Sequence, residues 1–423
     1  MLIRKAYKYR LKTNVKHETR LKQFAGCCRF VWNKALALQK GRLDDKESCL
    51  SYSKMAALLR QWKAEPETSF LEDAHSQILQ QSLMFQNRAL RDAFDKRNPK
   101  RFPKFKKKGM HDAFRYPQGF KIVNDAIYLP KIGWMSFYKS RDMEGNPQNI
   151  TISRKVKHWF VSVQTEMEVA EPVHPSTSAV GIDMGIKRFA TLSDGDFYQP
   201  LDSFRRLERK LAREQRKLSR KSKGSQNWQK QKAVVSRLHI RIADTRNDYL
   251  HKTSTTISKN HALVVLEDLK VSNMSASARG TIESPGRNVK AKTGLNKAIL
   301  DQGWYEFRRM LEYKLLWRGG KVVTIAPQYT SQTCPQCGHV CSDNRKTRQI
   351  FRCIVCGYME NADRVAAINI LAAGHGHVSL WRVGAIRPLC EAGTNQSCCL
   401  KPLGIIGLQV GEDVKSSLYS SIP

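Results

Sequence analysis

Two Cys-x-x-Cys pairs constrain this chain more than any other feature: Cys334-Pro-Gln-Cys337 and Cys353-Ile-Val-Cys356, with fifteen residues between them. That is the spacing of a four-thiolate zinc site. Two residues between cysteines let one turn present both thiolates to the same ion. The intervening stretch is long enough for a short hairpin that returns with the second pair. Gly338 and Gly357 each follow the second cysteine of a pair, where such a turn gains from a residue free to take positive φ. The plainer reading, ordinary clusters of buried thiols, leaves the repeated spacing unexplained. Cys341, just beyond the first pair, reads as a bystander. Four thiolates close a tetrahedral coordination, so the one zinc ion expected at Cys334, Cys337, Cys353 and Cys356 is structural. Eleven cysteines in the whole chain, four of them in these pairs, favour metal over disulfides and a reducing compartment.

With a closed zinc site, chemistry must be sought elsewhere, and three acids stand out. Asp183 lies within the apolar strand AVGIDMGI, on the opposite face from Ile182 and Met184. A lone carboxylate there is costly unless paired, hydrogen-bonded or bound to a metal. Glu267 repeats the situation at the end of LVVLEDL, and Asp363 opens the helical pattern ADRVAAINIL just after the cysteines. Singly, each has a bland reading: a strand-end turn residue, a solvated edge residue, a first-turn acid favoured by the helix dipole. Together, at the ends of elements that can converge, they suit hard Mg²⁺ ions held through oxygen. Two such ions roughly 4 Å apart activate a water and stabilise the leaving oxygen in phosphodiester cleavage. No Walker A loop, His-Glu-x-x-His pair or Gly-x-Ser-x-Gly elbow offers a rival chemistry.

Charge points to the same class of substrate. The 423 residues carry 73 Lys and Arg against 37 acids, a formal net charge of +36, for which a polyanion is the natural partner. Membrane surfaces also attract basic chains. However, no apolar run approaches the roughly 18 residues a spanning helix needs, and the start MLIRKAYKYRLK lacks a signal peptide's apolar stretch. A soluble, cytoplasmic protein with no membrane partner is expected. Two basic elements are candidate nucleic-acid contacts. The run Lys96 to Lys108 places eight Lys and Arg, among them Arg97, Arg101, Lys104, Lys106 and Lys107, around Phe102 and Phe105, suited to phosphate contact and base stacking. The stretch from Phe204 to Lys223 has Leu207, Leu211 and Leu218 on one side and Arg206, Arg209, Arg213 and Lys217 around the rest. The plainer reading of the first is a solvated basic loop with two anchoring aromatics, whereas the second reads as a core-anchored helix gripping a nucleic-acid backbone.

Chain length implies two or more domains. A strand over 2–12 precedes an amphipathic helix from His17, with further helical patterns at Met55, Leu58, Leu59 and Trp62 and at Leu79, Leu83, Leu90 and Phe94. From Phe114 to Val169, alternation and turn signals predict an antiparallel sheet or small barrel that the first strand joins. Beyond the loop EPVHPSTS, the pattern predicts a strand at AVGIDMGI and one long basic helical stretch from Ser203 to about Ile257. A strand at HALVVLEDL, a loop from Ser272 to about Lys297, a helix containing Trp304 and Phe307, and a strand at KVVTIAP follow. Strands alternating with helices argue for an α/β domain.

These residues resemble the TnpB (OrfB) family, encoded by bacterial insertion sequences and regarded as ancestral to type V CRISPR effector nucleases. The resemblance rests on GIDMGIKRFATLSDG at 181–195, VVLEDLKVSNM at 264–274, DQGWYEFRRMLEYK at 301–314, and TSQTCPQCG followed by FRCIVCGYMENADRVAAINIL. It is strong over 179–371 and weaker before. It implies a multidomain α+β chain. A wedge-like β-barrel domain would span 1–15 and 113–175, and an inserted helical recognition lobe 16–112. A RuvC-like nuclease domain of the RNase H fold would span 179–330 and 359–373, and a zinc ribbon that binds target nucleic acid 331–358. A loose tail would follow over 374–423.

The resemblance also implies that Asp183, Glu267 and Asp363 are the catalytic, Mg²⁺-binding triad of an endonuclease. Such an enzyme takes as guide a noncoding RNA from the transposon end and cuts double-stranded DNA beside a short adjacent motif, as a monomer within the ribonucleoprotein acting at the bacterial nucleoid. Many relatives have Asn two residues after the last acid, where this chain has Val365. Two other readings stay open: a guide-RNA-dependent transcriptional repressor that binds without cutting, disfavoured by the intact acids, and a transposase that joins strands itself.

Overall fold

In the computed structural model, residues 1–97, 100–110 and 112–378 are described. Strand β1 (Leu2–Leu11) turns Ile3, Tyr7, Tyr9 and Leu11 inward. Helix α1 (Val15–Asp44) starts at Asn14, whose side chain accepts the amide of His17, and buries Leu21, Phe24, Cys28, Val31 and Ala35 as its three-and-four spacing requires. Helices α2 (Tyr52–Ala64) and α3 (Ser76–Phe94) flank a short 3-10 segment at Pro66–Asp73. Six strands follow: β2 (Ala113–Tyr116), β3 (Lys121–Val123), β4 (Ala126–Leu129), β5 (Gly133–Tyr138), β6 (Asn146–Lys155) and β7 (His158–Glu168).

With β1 they form one antiparallel sheet in the order β2-β6-β7-β1-β5-β4-β3, so the first strand lies in the middle of the sheet made by residues 113–168. Among the described residues no pairing joins β2 to β3, so of the antiparallel sheet or small barrel expected the structure has an open sheet. Tyr9, Phe24, Val31, Leu79, Phe114, Val161 and Trp159 belong to a single apolar core, which the three helices and the sheet share.

The second sheet carries the acids. It comprises β8 (Ala179–Asp183), β9 (Ala190–Leu192), β10 (Phe197–Tyr198), β11 (Leu263–Glu267) and β12 (Lys321–Ile325), in the order β10-β9-β8-β11-β12. The first three strands run antiparallel as a meander, and β11 is parallel to both β8 and β12. Between them lie α4 (Ser203–Ser219), α5 (Gln226–Asn260), the single turn α6 (Val271–Met274), α7 (Val289–Gln302) and α8 (Trp304–Leu316). A small hairpin, β13 (Ile350–Arg352) with β14 (Met359–Asn361), precedes α9 (Ala362–Val378). The central strands read as unbroken apolar runs because both faces are covered. Val264 and Leu266 pack with Leu250, Phe307 and Leu311 of α5 and α8, whereas Val265 faces Ile370 of α9.

Three expectations are corrected. The basic stretch 203–257 is two packed helices, broken at 220–225, where Ser225 caps α5 by accepting the amide of Trp228. Their contact buries Leu211, Val235, Leu238 and Ile242. The loop read over 272–297 contains α7 from Val289, whose far end carries the buried Ile299 into the core of the second sheet. Residues 374–378, read as the start of a loose tail, belong to α9; the rest of that stretch, with Cys390, Cys398 and Cys399, lies outside the described residues. Among the described residues no helix is long and apolar enough to cross a membrane.

Candidate functional site

The two cysteine pairs form matching knuckles. The amide of Gly338 donates to the carbonyl of Cys334 at 2.9 Å and that of Gly357 to Cys353 at 3.1 Å, with both glycines at φ +75°. Cys334 Sγ lies 3.6 Å from Cys356 Sγ, Cys337 Sγ 3.5 Å from Cys353 Sγ, and all four sulfurs fall within 4.8 Å of one another. Four sulfurs tetrahedrally placed at 2.3 Å from zinc would be about 3.8 Å apart, so the set fits that ion. Cys341 stays outside the cluster. Asn344 ties the knuckles together: its amide group donates to the carbonyls of Gln332 and His339, and its oxygen accepts the amide of Ile354. Val365 is buried beside Cys334, Phe351 and Cys353, so it completes the apolar core of the ribbon.

The three acids come from three elements. Asp183 is the last residue of β8, not an interior one, and Glu267 is the last of the neighbouring parallel strand β11. Asp363 sits in the first turn of α9, where Asn361 caps the helix by accepting the amides of Asp363 and Arg364. Glu267 is 9% exposed, which removes its reading as a solvated edge residue.

Burial, reinforced by the charges of Glu267 and Asp363, pushes Asp183 up to about 7, with Arg345 acting in the opposite sense. Burial also raises Glu267, while a hydrogen bond from Thr330 and the nearby Arg345 hold it down. The three carboxylates therefore share one electrostatic neighbourhood. Among the described residues their oxygens are not gathered as tightly as the four sulfurs, as mutual repulsion would dictate.

A cleft of about 1020 Å³ opens beside Asp183 and Asp363. Its walls include Lys187, Arg188, Arg345 and Arg348, with Trp304 as an apolar surface. Such a cleft, with Asp183, Asp363 and four cations in its lining, can place a phosphodiester against those two carboxylates; Glu267 is not in the lining. Arg345 was not singled out from the sequence; its Nη2 lies 3.4 Å from Asp363 Oδ1. Thr330 and Asn369 were likewise not singled out, although both lie inside the stretches TSQTCPQCG and FRCIVCGYMENADRVAAINIL.

The basic candidates are distributed over two surfaces. Arg97, Arg101, Lys104 and Lys107 are exposed, whereas Lys106 is partly buried with its ammonium 3.9 Å from the Trp32 ring centroid. The strap is pinned to α1: Trp32 Nε1 donates to the Lys104 carbonyl, and Asn33 exchanges two hydrogen bonds with the Lys106 backbone. Lys40 lies over both Phe102 and Phe105, so the stacking expected of those rings finds one face of each covered. On α4, Arg206, Arg209, Arg213 and Lys217 are exposed. The helix is capped from a distance by Asp301, which accepts from Ser203 Oγ and the Phe204 amide.

Comparison with known proteins gives three matching family models. One described as "Probable transposase" (OrfB_IS605) matches residues 162–278, which include Asp183 and Glu267, and one described as "Cas12f1-like, TNB domain" matches 304–370, which include the cysteines and Asp363. A third, described as a helix-turn-helix domain, matches 1–47, where this chain has a strand and one continuous helix.

"Putative RNA-guided DNA endonuclease InsQ" of Escherichia coli (strain K12) is 54% identical over 392 residues, 92% of this chain and 97% of the relative. A "Putative RNA-guided DNA endonuclease" of Streptomyces pristinaespiralis is 35% identical over 379 residues, 88% and 90% of the two chains. In fold, the chain is similar to the protein of a "Cryo-EM structure of the Cas12f1-sgRNA-target DNA complex", with a TM-score of 0.53 over 87% of this chain and 98% of that one, at 14% identity.

Proposed function

Because this chain belongs to the TnpB (OrfB) family of transposon-encoded RNA-guided DNA endonucleases, we propose that it cuts guide-matched double-stranded DNA at Asp183, Glu267 and Asp363, next to a short adjacent motif. The observation that carries this reading is the state of Asp183. A carboxyl at a strand end, buried beside two other acids and pushed up to about 7, would gain from a cation that favours its ionised form.

Three hard oxygen donors with Arg345 as the nearby positive charge fit Mg²⁺. Asp183, Glu267 and Asp363 would hold Mg²⁺, which when bound would supply Lewis acidity at a phosphate and a more acidic water. The chain's own residues do the rest. Arg345, Arg348, Lys187 and Arg188 draw the DNA backbone into the cleft, and Trp304 with the β13–β14 hairpin narrows it. Zinc at the four thiolates would hold the ribbon that carries Arg345 and leads into Asp363, a structural role.

The strand order β10-β9-β8-β11-β12 supports a RuvC-like domain of the RNase H type around this site. By the same family reading, the first sheet serves as the wedge-like domain, α1–α3 as the recognition lobe, and the ribbon as a contact for target DNA. The partners are then a noncoding guide RNA from the transposon end and target DNA, in the bacterial cytoplasm. Exposed cations on α4 and the 97–107 strap supply affinity without sequence information, as suits a protein that leaves specificity to base pairing.

The test is to co-express the chain with its native transposon end, sequence the bound RNA, and challenge the complex with Mg²⁺ and target plasmids of randomised flanks. Flank-dependent cutting that Asp183→Ala abolishes is expected. Guide-directed binding with no cutting by the wild type would move the reading to a repressor.

A further inference from the structure

Glu267 is held by a hydroxyl. Thr330, 8% exposed, donates from Oγ1 to Glu267 Oε1 at 2.7 Å across 63 residues of sequence. Thr330 sits in the turn that joins β12 to the ribbon, immediately after Tyr329, which takes φ +61° although it is neither glycine nor asparagine. A left-handed conformation in such a residue is strained and persists only where the surroundings enforce it.

The enforcement is visible. Asn369 of α9 uses both hydrogens of its side-chain amide, donating from Nδ2 to the Thr330 carbonyl at 2.8 Å and to the Thr333 carbonyl at 2.7 Å. The amides of Gln332 and Thr333 close the turn on the Tyr329 carbonyl. One residue later comes Cys334, the first thiolate of the ribbon.

We propose that Thr330 is a positioning residue for Glu267, and that Asn369 is the clasp that keeps the strained Tyr329–Thr333 turn in the conformation that aims it. Helix α9 then sets two of the three acids: Asp363 directly, from its first turn, and Glu267 at a distance, through Asn369 and Thr330. The same clasp fixes the chain where it enters the first cysteine knuckle, so the ribbon and the Glu267 side chain are built on one turn. This inference rests on the nuclease reading of the three acids.

Residues that orient metal ligands commonly change metal affinity or activity by 10- to 100-fold when replaced. The experiment compares Thr330→Val, which keeps the shape and loses the hydroxyl, with Thr330→Ser, which keeps it. Asn369→Ala is the second, independent variant. The full-length chain is tested in complex with its guide RNA for cleavage rate against Mg²⁺ concentration. The RNA-free chain is tested for Mn²⁺ binding by electron paramagnetic resonance, with Asp183→Ala as the blank. Thr330→Val and Asn369→Ala are expected to slow cleavage about 10- to 100-fold and to weaken Mn²⁺ binding, with Thr330→Ser within about 3-fold of wild type and guide-RNA binding unchanged in all three.

Wild-type cleavage and Mn²⁺ affinity in Thr330→Val and Asn369→Ala would overturn the inference, and so would an equal loss in Thr330→Ser. If Thr330→Val failed to fold, as judged by lost guide-RNA binding, Asn369→Ala alone would decide. If Asp183→Ala itself still cut DNA and bound Mn²⁺, the reading of the acids would fall, an outcome distinct from failure of the clasp.

Discussion

A β-carbon built on Gly181 would lie 2.2 Å from the carbonyl oxygen of Ala367, so the backbone of α9 rests on β8 where a side chain would otherwise stand. Gly181 and Asp183 are two apart on one strand face, and Asp363 and Ala367 are four apart on one helix face. The close approach of Gly181 to Ala367 therefore brings Asp183 and Asp363 into one neighbourhood. Gly374 repeats the device farther along α9 against Val265.

Gly181→Ala should accordingly act on the site through the helix. Overpacking at a contact this tight costs about 1–3 kcal/mol and must displace α9 from β8. The expected outcome is a lower melting temperature and cleavage slowed at least about 10-fold, since misplacing catalytic groups by an ångström can cost about 100-fold. Guide-RNA binding should persist. Full cleavage activity in this variant would refute the close-approach argument.

Asp183 gives a pH signature. Its ordinary value of 3.8 is raised to about 7 by burial and by the charges of Glu267 and Asp363. Between those two values the folded, Mg²⁺-free chain holds a proton that the unfolded chain has released, so this group's contribution to stability is lost as pH rises through the window. Asp183→Asn cannot ionise and escapes that loss. In buffer free of divalent ions, and free of chelators that would strip zinc, the melting temperature of the wild type should fall more between pH 5 and pH 8 than that of Asp183→Asn. Parallel pH profiles would contradict the assignment. Added Mg²⁺, which favours the ionised form, should narrow the gap.

The ribbon should be inseparable from the chemistry. Metal analysis is expected to find about one zinc per chain, and Cys334→Ser or Cys356→Ser to lose it. Because Asp363 follows Cys356 by seven residues and Arg345 lies between the knuckles, cleavage should fall in step with zinc content. Normal cleavage by a demonstrably zinc-free variant would show that the ribbon is dispensable for the site.

Charge on α4 predicts a salt effect. Replacing Arg209, Arg213 and Lys217 together by Ala removes exposed cations and leaves the Leu211 core in place, although it also removes the ion pairs of Arg213 and Lys217 with the buried Glu214. If all three contact guide-RNA phosphates, the slope of log affinity against log salt should flatten by about 0.7 for each contact to single-stranded RNA. An unchanged slope would mark this face as solvated charge only.

What the sequence disclosed and withheld divides along a physical line. The cysteines were legible because ligand spacing is a local property, and the glycines after them take the positive φ that their position suggested. Asp183 and Glu267 stood out because a carboxylate on an apolar strand is anomalous wherever it occurs, and the structure sets both, with Asp363, in one charged neighbourhood. The first strand's place in the 113–168 sheet was also expected, and its alternating burial agrees.

Arg345, Thr330, Asn369 and Gly181 were not legible, because each acts through a partner distant in sequence: Asp363, Glu267, the Thr330 and Thr333 carbonyls, and Ala367. The break between α4 and α5 was missed because the basic residues that crowd both helices continue through the connection and mask the Gly224-Ser225 signal.

The account stands most directly on whether the three acids form one catalytic unit. The decisive measurement is single-turnover cleavage of target DNA by the guide-RNA complex of Asp183→Asn, Glu267→Gln, Asp363→Asn and the triple variant, with guide and target binding measured in parallel. Groups that act as a unit are not additive. The account predicts that each single change drops the rate to nearly the same floor as the triple, while binding stays within about 2-fold of wild type. A single variant that cuts at the wild-type rate, or losses that accumulate independently toward the triple, would contradict it.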